Sequence, residues 1–480
     1  MKKKIKMDLY MWRYIIFAII TIGGIVLFLI DQKASKNQDI INKEGIEFKE
    51  KQSELNFVLL RQINDLRRQL DLSKVKERLF QIGEIDMSYE EIEAYLLKQT
   101  NASNSMLNRA LAFYGLDRLD ESEKLFLEAL KTYPKNEDKR AFIHSYLGEL
   151  YLRLPGDLPE AKRNSLLAYE YYKEIIKEDD TENLFEFGNI TSNLGRILKR
   201  EANYKKALYY YNESLLVREK LAKINPKKYL IDLGSIYNNI AVLFRERPDL
   251  GDAEKLYLKA LKIKREAAKG NINYLPTVAT TLNNLGNFYN EEQNNFRKAE
   301  IYFKEAIDIC QFIVDNGNRE YLYNLANYQS GLAFALENLF TQNKNIKYFK
   351  ESEDWFSKAL ENFNKIENKE VYYIEYSNCL HNLGRLYKEA KNYQKAKKHY
   401  LDALVIRKKL ANSKLPFDEV RLADTQLSLA LLYTDNFHNK NLALKYANQS
   451  QDNYNNNLHF RDSKKWINVS RQIIDFWNEN

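Results

Sequence analysis

The chain has 480 residues, of which 45% are hydrophobic, and it contains only 16 Gly, 7 Pro and 2 Cys. So few glycines and prolines argue against an all-β fold and against long disordered regions, and two cysteines exclude a disulfide-rich scaffold. The formal net charge is +8, but residues 1–30 carry five Lys or Arg and one Asp, so the other 450 residues carry only +4. Such a small excess gives no indication of a nucleic-acid partner.

Residues 1–30 combine a basic tail, residues 1–13, with a long apolar run, residues 11–30. No residue from Tyr14 to Ile30 is charged, and about 17–20 residues span a hydrocarbon core of about 30 Å. A cleavable signal peptide is the alternative, but this run exceeds the usual length and no small-x-small cleavage site follows it. Because Lys and Arg favour the cytoplasmic side, the sequence predicts an uncleaved single-pass anchor. The N-terminus would be cytoplasmic and the later residues would lie across the membrane.

Residues 31–98 are predicted to form a juxtamembrane linker that turns into amphipathic helices. Apolar residues recur at helical spacing within it, at Leu59, Ile63, Leu66 and Leu70. This stripe either packs on the next helices as a single helix or forms a short coiled-coil homodimer through residues 52–73. Fewer than three or four clean heptads leave both interpretations open. A further helix is predicted over residues 89–98.

Residues 99–455 repeat one pattern of small and large side chains eight times. A predicted first helix carries a small residue at Ala110, Gly148, Gly195, Ala241, Gly286, Ala333, Gly384 and Ala430. A predicted second helix carries one at Ser122, Ala161, Ala207, Ala253, Ala299, Ser352, Ala396 and Ala443, and another at Ala129, Ala168, Ser214, Ala260, Ala306, Ala359, Ala403 and Ser450. Between these two lies a mostly aromatic position: Phe126, Ser165, Tyr211, Tyr257, Phe303, Phe356, Tyr400 and Ala447. Small residues let two helices approach closely while the large one fills the space between them, so the pattern predicts stacked helix pairs.

This pattern resembles the tetratricopeptide repeat. The first unit fits the spacing of the family best, and later units are longer: Gly195 to Ala241 is 46 residues, against about 34 for the plain repeat. The longer units, with Leu-Asn-Asn-Leu-Gly at 282–286, resemble kinesin-light-chain-type repeats, which are common in bacterial scaffold proteins. The resemblance implies an all-α fold, a right-handed α-solenoid of about eight helix-turn-helix repeats, preceded by the transmembrane helix and the amphipathic helix.

Two segments depart from the regular pattern. Ala333 and Ser352 are 19 residues apart where Gly195 and Ala207 are 12 apart, so a loop insertion is predicted over residues 340–346. After the last repeat, residues 456–480 are predicted to hold a C-terminal capping helix, because the apolar residues of 463–477 recur on one helical face.

The sequence offers no recognisable catalytic chemistry. No two of the five histidines lie three to five residues apart and none lies beside a cysteine, so metal-ligand spacing is absent. There is no Gly-rich phosphate loop and no nucleophile motif, and Cys310 and Cys379 are not expected to form a disulfide. The chain is therefore predicted to be no enzyme and to need no cofactor or metal.

Polar residues recur at three positions of the first helices. Two residues before the small position stand Asn193, Asn239, Asn284 and Asn382; one residue after it stand Arg196, Asn287 and Arg385; and a helical turn further stand Lys199, Arg245 and Lys388. The resemblance implies that this Asn binds a peptide backbone on the concave surface and that the basic residues hold acidic groups of the ligand. An amide suits that task because it both donates and accepts. The alternative is that the Asn residues satisfy neighbouring helices and the cations are merely solvated.

These observations predict a membrane-anchored scaffold that binds a peptide or protein partner, with acidic character, in its groove. The alternative is a structural or assembly component of an envelope or secretion complex that uses its convex face and its N-terminal helix. Because neither Arg196 nor Arg385 is expected in the core, replacing both by Ala is expected to leave helicity and melting nearly unchanged.

Overall fold

The computed structural model describes residues 105–116, 118–133, 137–154, 157–176, 180–366, 372–411, 416–458 and 462–479. The predicted membrane anchor at 11–30, the linker and helices of 31–98 and the dimer segment 52–73 lie outside these residues. Among the helices that are described, none is long and apolar enough to cross a membrane.

The described part of the chain contains seventeen α-helices and no β-strand. The helices are α1 (Met106–Gly115), α2 (Leu119–Thr132), α3 (Glu137–Arg153), α4 (Leu158–Ile175), α5 (Thr181–Arg200), α6 (Tyr204–Ile224), α7 (Pro226–Glu246), α8 (Ala253–Gly270), α9 (Leu275–Glu291), α10 (Phe296–Asp315), α11 (Leu322–Asn343), α12 (Ile346–Asn364), α13 (Tyr373–Glu389), α14 (Tyr393–Ala411), α15 (Pro416–Asp435), α16 (Lys440–Asn455) and α17 (Ser463–Glu479). The predicted all-α fold is confirmed, and α1 to α16 supply the first and second helices of the eight predicted repeats.

The helices belong to two compact units. Of the described residues, unit 1 comprises those from 105 to 243 together with Glu266–Tyr274, and unit 2 comprises Phe244–Arg265 and those from 275 to 479. Within unit 1, α1 packs on α2, α3 on α4 and α5 on α6; within unit 2, α9 packs on α10, α11 on α12, α13 on α14 and α15 on α16. In both units the second helix of one pair also contacts the first helix of the next, as α4 contacts α5 and α10 contacts α11.

The small positions hold the pairs together as predicted. A Cβ added at Gly286 would lie 2.7 Å from Cε1 of Phe303, and the ring of Phe303 also lies against Gly331 of the next first helix. Real Cβ atoms do not approach so closely, so these glycines make room for the ring. Where the small residue is Ser, its hydroxyl donates to the facing helix: Ser352 Oγ bonds the carbonyl of Ala333 at 2.7 Å, and the buried backbone oxygen gains a second partner.

Five of the described turns inside the pairs share one chemistry that the sequence reasoning did not identify. A residue with positive φ is followed by an Asn whose side chain caps the second helix. Ala202, with φ 57°, precedes Asn203, whose Oδ1 accepts from the backbone N–H of Lys206. The same arrangement, a positive-φ residue followed by a capping Asn, recurs at residues 294–295, 344–345, 391–392 and 438–439. Asn is among the best N-cap residues, which explains its place at these turns.

The predicted loop insertion over residues 340–346 is wrong. Helix α11 continues to Asn343 and α12 begins at Ile346, so the extra residues lengthen both helices and leave a two-residue turn. Leu339 and Phe340 are 4% and 6% exposed, and burying such side chains stabilises the added helical turn. Helix α17 lies within residues 456–480, where the capping helix is predicted, and it packs on α15 and α16. Its Trp477 Nε1 donates to Thr434 Oγ1 at 3.1 Å.

Candidate partner-binding surface

Three pairs of successive first helices contact each other within their units. Helix α3 contacts α5 in unit 1, and in unit 2 α9 contacts α11 and α11 contacts α13. Residues at the same position of these helices therefore lie side by side. The surface formed by α9, α11 and α13 is called the first-helix face here. The predicted residues on it are Asn284, Asn287, Asn382, Arg385 and Lys388, all of them half-buried.

Arg385 is the best-defined side chain of the first-helix face. Its Nε donates to Glu337 Oε1 on α11 at 3.0 Å, and its Nη2 lies 2.9 Å from the same oxygen. The guanidinium stacks over the ring of Phe334 at 4.8 Å. The Arg385 side chain is 38% exposed while that of Glu337 is fully buried. The buried Glu337 therefore fixes the position of Arg385, and the other side of the guanidinium is open to solvent.

A chain of polar contacts connects Arg385 to the two neighbouring first helices. Nη2 of Arg385 lies 3.4 Å from Asn338 Oδ1, and Asn338 Nδ2 donates to Asn290 Oδ1 on α9 at 3.1 Å. Buried Asn290 Nδ2 and Glu337 Oε2 have no hydrogen-bond partner in the described structure. Buried polar atoms are usually paired, so these two atoms mark a site with unused hydrogen-bonding capacity.

The buried groups around Arg385 have shifted pKa values. Burial raises the pKa of the Glu337 carboxyl to about 7, and the nearby Arg385 charge only partly opposes this rise. Burial also lowers the pKa of His381 well below its usual value, and the charges of Arg407 and Arg385 lower it further. His381 is therefore neutral near pH 7, whereas Glu337 is close to the midpoint of its titration.

The remaining predicted residues of unit 2 have separate surroundings. No described residue hydrogen-bonds the side chains of Asn287 or Asn382. Asn284 makes at least one contact of its own. Arg245 lies near Tyr257: burial raises the pKa of that phenol to about 12, and the Arg245 charge opposes the rise. The structure therefore brings Arg385 into a network and leaves two of the amides available.

In unit 1 the predicted residues lie on α5 and α7. Arg196 Nη1 donates to Asn193 Oδ1 at 3.4 Å, three residues away on the same helix. Asn193 is 9% exposed, whereas Asn239 and Lys199 are half-buried. The Arg196–Asn193 contact lies within one helix, whereas Arg385 contacts the neighbouring first helix.

The sequence reasoning missed the partners of Arg385. Glu337 lies four residues after the small residue Ala333, at the position that Lys199 and Lys388 occupy in their own repeats. Reading that position in the sixth repeat would have identified an acidic residue among basic ones. Asn290 occupies the same position after Gly286.

Buried cations on the second helices were also missed. They lie four residues after the second small position, at Arg218, Lys264 and Arg407. Arg407 donates to the Arg421 carbonyl and to Thr425 Oγ1, both at 2.7 Å, and to Asn378 Oδ1 at 2.7 Å. It thereby joins its own first helix to the next one. Lys264 donates to Thr281 Oγ1 at 3.0 Å, and burial lowers its pKa to about 7. These cations are structural links between successive pairs.

Comparison with known proteins identifies the repeat type. Residues 232–311 and residues 377–414 match the tetratricopeptide repeat family, so the predicted repeats are present there. Among solved structures, BtubC (BKLC) from P. vanneervenii is 22% identical, with 53% of this chain and 92% of that chain covered and a TM-score of 0.41. The apo form of RapI is 14% identical, with 64% and 98% covered and a TM-score of 0.45. Aspartyl phosphate phosphatase F from Bacillus subtilis is 16% identical, with 83% and 92% covered and a TM-score of 0.44.

Proposed function

We propose that this chain, which carries tetratricopeptide repeats at residues 232–311 and 377–414, is a scaffold that holds an extended segment of a partner protein on its first-helix face. The observation that carries the proposal is the polar chain from Asn290 through Asn338 to Arg385, which runs across three successive first helices, α9, α11 and α13. On the same face, the half-buried amides of Asn287 and Asn382 have no described hydrogen-bond partner, and such amides suit a peptide because they pair with backbone N–H and C=O groups of any sequence. Arg385 adds a donor for an acidic group.

The proposal assigns binding and no catalysis to the chain. Cys310 and Cys379 are free and buried, and burial raises the pKa of each thiol to about 12. A thiol with so high a pKa is a poor nucleophile near pH 7. Among the described residues, no group of three or more His, Cys, Asp or Glu side chains is placed to hold a metal ion.

Membrane anchoring is the second part of the proposal. It rests on the uncharged run from Tyr14 to Ile30 and on the Lys and Arg residues that precede it. An anchored chain would present its repeats on the side of the membrane away from the N-terminus. A homodimer through residues 52–73 would place two first-helix faces on one anchor assembly and would raise the effective concentration of binding sites.

An assembly function of the outer surface is the alternative. Large apolar side chains on second helices are exposed, with Leu216 at 68%, Ile301 at 63% and Val405 at 60%. Exposed apolar side chains favour protein contacts when they form a patch. In that case the partner would contact the second helices, and the first-helix face would not be used.

Site-specific crosslinking in cells separates the two functions. A photo-crosslinking amino acid placed at position 287 or 382 should trap the partner, whereas the same residue at the exposed positions 212 and 478, on α6 and α17, should not. The double variant Asn287→Ala/Asn382→Ala should weaken binding of the trapped partner by about 5- to 150-fold, since each lost hydrogen bond contributes about 0.5–1.5 kcal/mol. The matched control is Asn212→Ala/Asn478→Ala. Trapping at 212 and 478 with unchanged binding by the first double variant would favour the assembly function.

A further inference from the structure

Arg385 and Glu337 form an asymmetric pair. Both short contacts of the guanidinium, 3.0 Å from Nε and 2.9 Å from Nη2, go to the same oxygen, Glu337 Oε1. Glu337 Oε2 is buried and has no partner among the described residues. A carboxyl in this geometry can carry a proton on Oε2 while Oε1 still accepts from Arg385. Protonation of Glu337 therefore leaves Arg385 in place and changes only the net charge of the Arg385–Glu337 pair.

The surroundings of Glu337 determine when that proton is bound. The charged groups that act on it are Arg385 and Glu389, both on α13. The charges of Arg385 and Glu337 also act on Tyr400 of α14. From α9, the Asn290 amide reaches the pair through Asn338. Burial outweighs the Arg385 charge and raises the pKa of Glu337 to about 7. The carboxyl thus changes charge near neutral pH with its geometry already set.

We propose that a carboxylate of the partner binds the exposed side of Arg385 and that Glu337 takes up a proton when it does so. This inference rests on the proposed function, because it assigns the acidic group of the partner to one cation of the first-helix face. With Glu337 ionised, two carboxylates share one guanidinium and repel each other. A proton on Oε2 removes that repulsion.

The sign of the pH dependence follows from this coupling. Because the bound carboxylate raises the pKa of Glu337 above its value in the free protein, the complex holds more protons than the free protein near neutral pH. Binding must then tighten as pH falls from 8 to 6. One coupled proton limits the change to about tenfold per pH unit. His381 is already neutral in this range, because burial keeps its pKa well below 6.5.

Two labelled probes test the proposal on the full chain. They are rhodamine-labelled hexaglutamate with an amidated C-terminus and rhodamine-labelled hexaglutamine with a free C-terminus, which separate a side-chain carboxylate from a terminal one. At least one probe should bind about three- to tenfold more tightly at pH 6 than at pH 8. Glu337→Gln should bind it at both pH values as the parent does at pH 6, and Arg385→Gln should lose most of the binding. Glu361→Gln, at an exposed position of α12, is the control, and it should leave the pH dependence intact.

A measurement without substitutions gives an independent check. Calorimetric titration of the parent protein with the bound probe, in two buffers of different ionisation enthalpy at pH 7, should show uptake of a fraction of a proton up to one. Zero uptake, or unchanged pH dependence in Glu337→Gln, overturns the inference while crosslinking at 287 and 382 still decides the proposed function. Failure of both probes to bind the parent protein also overturns it.

Discussion

One contact, with Glu337, changes the role that is expected of Arg385. From the sequence it is a surface cation, and replacing it together with Arg196 was expected to leave melting unchanged. For Arg385 the structure gives a reason to expect a loss of stability, because the fully buried Glu337 pairs with it. For Arg196, whose contact with Asn193 lies within one helix, the expectation stands.

The stability of an Arg385→Ala variant should depend on pH. Loss of the guanidinium leaves the buried Glu337 carboxylate unpaired, which should reduce the free energy of unfolding by about 1–3 kcal/mol at pH 8. Because Arg385 lowers the pKa of Glu337, the variant raises that pKa further, so the folded state takes up a proton and the loss shrinks at pH 6. Urea unfolding at both pH values measures this. Arg196→Ala should stay within about 0.5 kcal/mol of the parent, and equal losses at pH 6 and pH 8 would contradict the role of Glu337.

In the parent protein, too, protonation of Glu337 makes the free energy of unfolding depend on pH. The folded-state pKa of Glu337, about 7, lies above its usual 4.5. The folded chain therefore binds a proton that the unfolded chain releases, and this contribution to stability is fully present below about pH 4.5 and is lost as the pH rises through 7.

At the scale of the helix, the turns between paired helices can be tested one by one. Ala202 adopts a φ of 57°, which strains any residue with a Cβ by about 1–2 kcal/mol. Ala202→Gly should therefore raise the free energy of unfolding by up to about 1 kcal/mol, after the greater chain entropy of unfolded Gly is subtracted. Ala267→Gly, inside α8, is the matched control and should lower it by about 1 kcal/mol. If both variants lose stability equally in thermal or urea unfolding, the turn is not strained.

The paired helices also show what the sequence could and could not predict. The small residues were readable because each pair is built from positions less than 20 residues apart, as Ala333 and Ser352 are. The loop over 340–346 was mispredicted because spacing alone cannot distinguish a loop from longer helices. Burial of Leu339 and Phe340 decides that, and burial depends on the neighbouring pair.

Contacts between pairs escaped prediction for a related reason. Arg385 and Glu337 are 48 residues apart in sequence, as are Asn338 and Asn290. Tyr387 of α13 donates to Glu353 of α12, and Tyr289 of α9 donates to Glu254 of α8. Such partners follow only once the register between successive repeats is known. The sequence therefore predicted several side chains of the first-helix face but not which of them are joined.

At the scale of the whole chain, the placement of the repeats relative to a membrane is the main expectation. If residues 11–30 anchor the protein as proposed, a reporter that is active only outside the cytoplasm should be active when fused after Asn480. The Lys and Arg residues that precede the apolar run favour this orientation in the membrane. Replacing Lys2, Lys3, Lys4 and Lys6 by Gln should reduce that activity, while four Lys→Gln changes within α14 should not. Full activity of a reporter that works only in the cytosol would contradict the topology.

The ring of Phe303 has a consequence for how this chain can change over generations. It fills space beside Gly286 of its own pair and Gly331 of the next. A lineage that acquires a side chain at either glycine must already have a smaller residue at 303, so substitutions at these three positions are expected to arise in a fixed order. A repeat duplicated and inserted after α10 would need its own glycine at the position of Gly331. This ring thus restricts which repeats can be exchanged or added at that point of the chain.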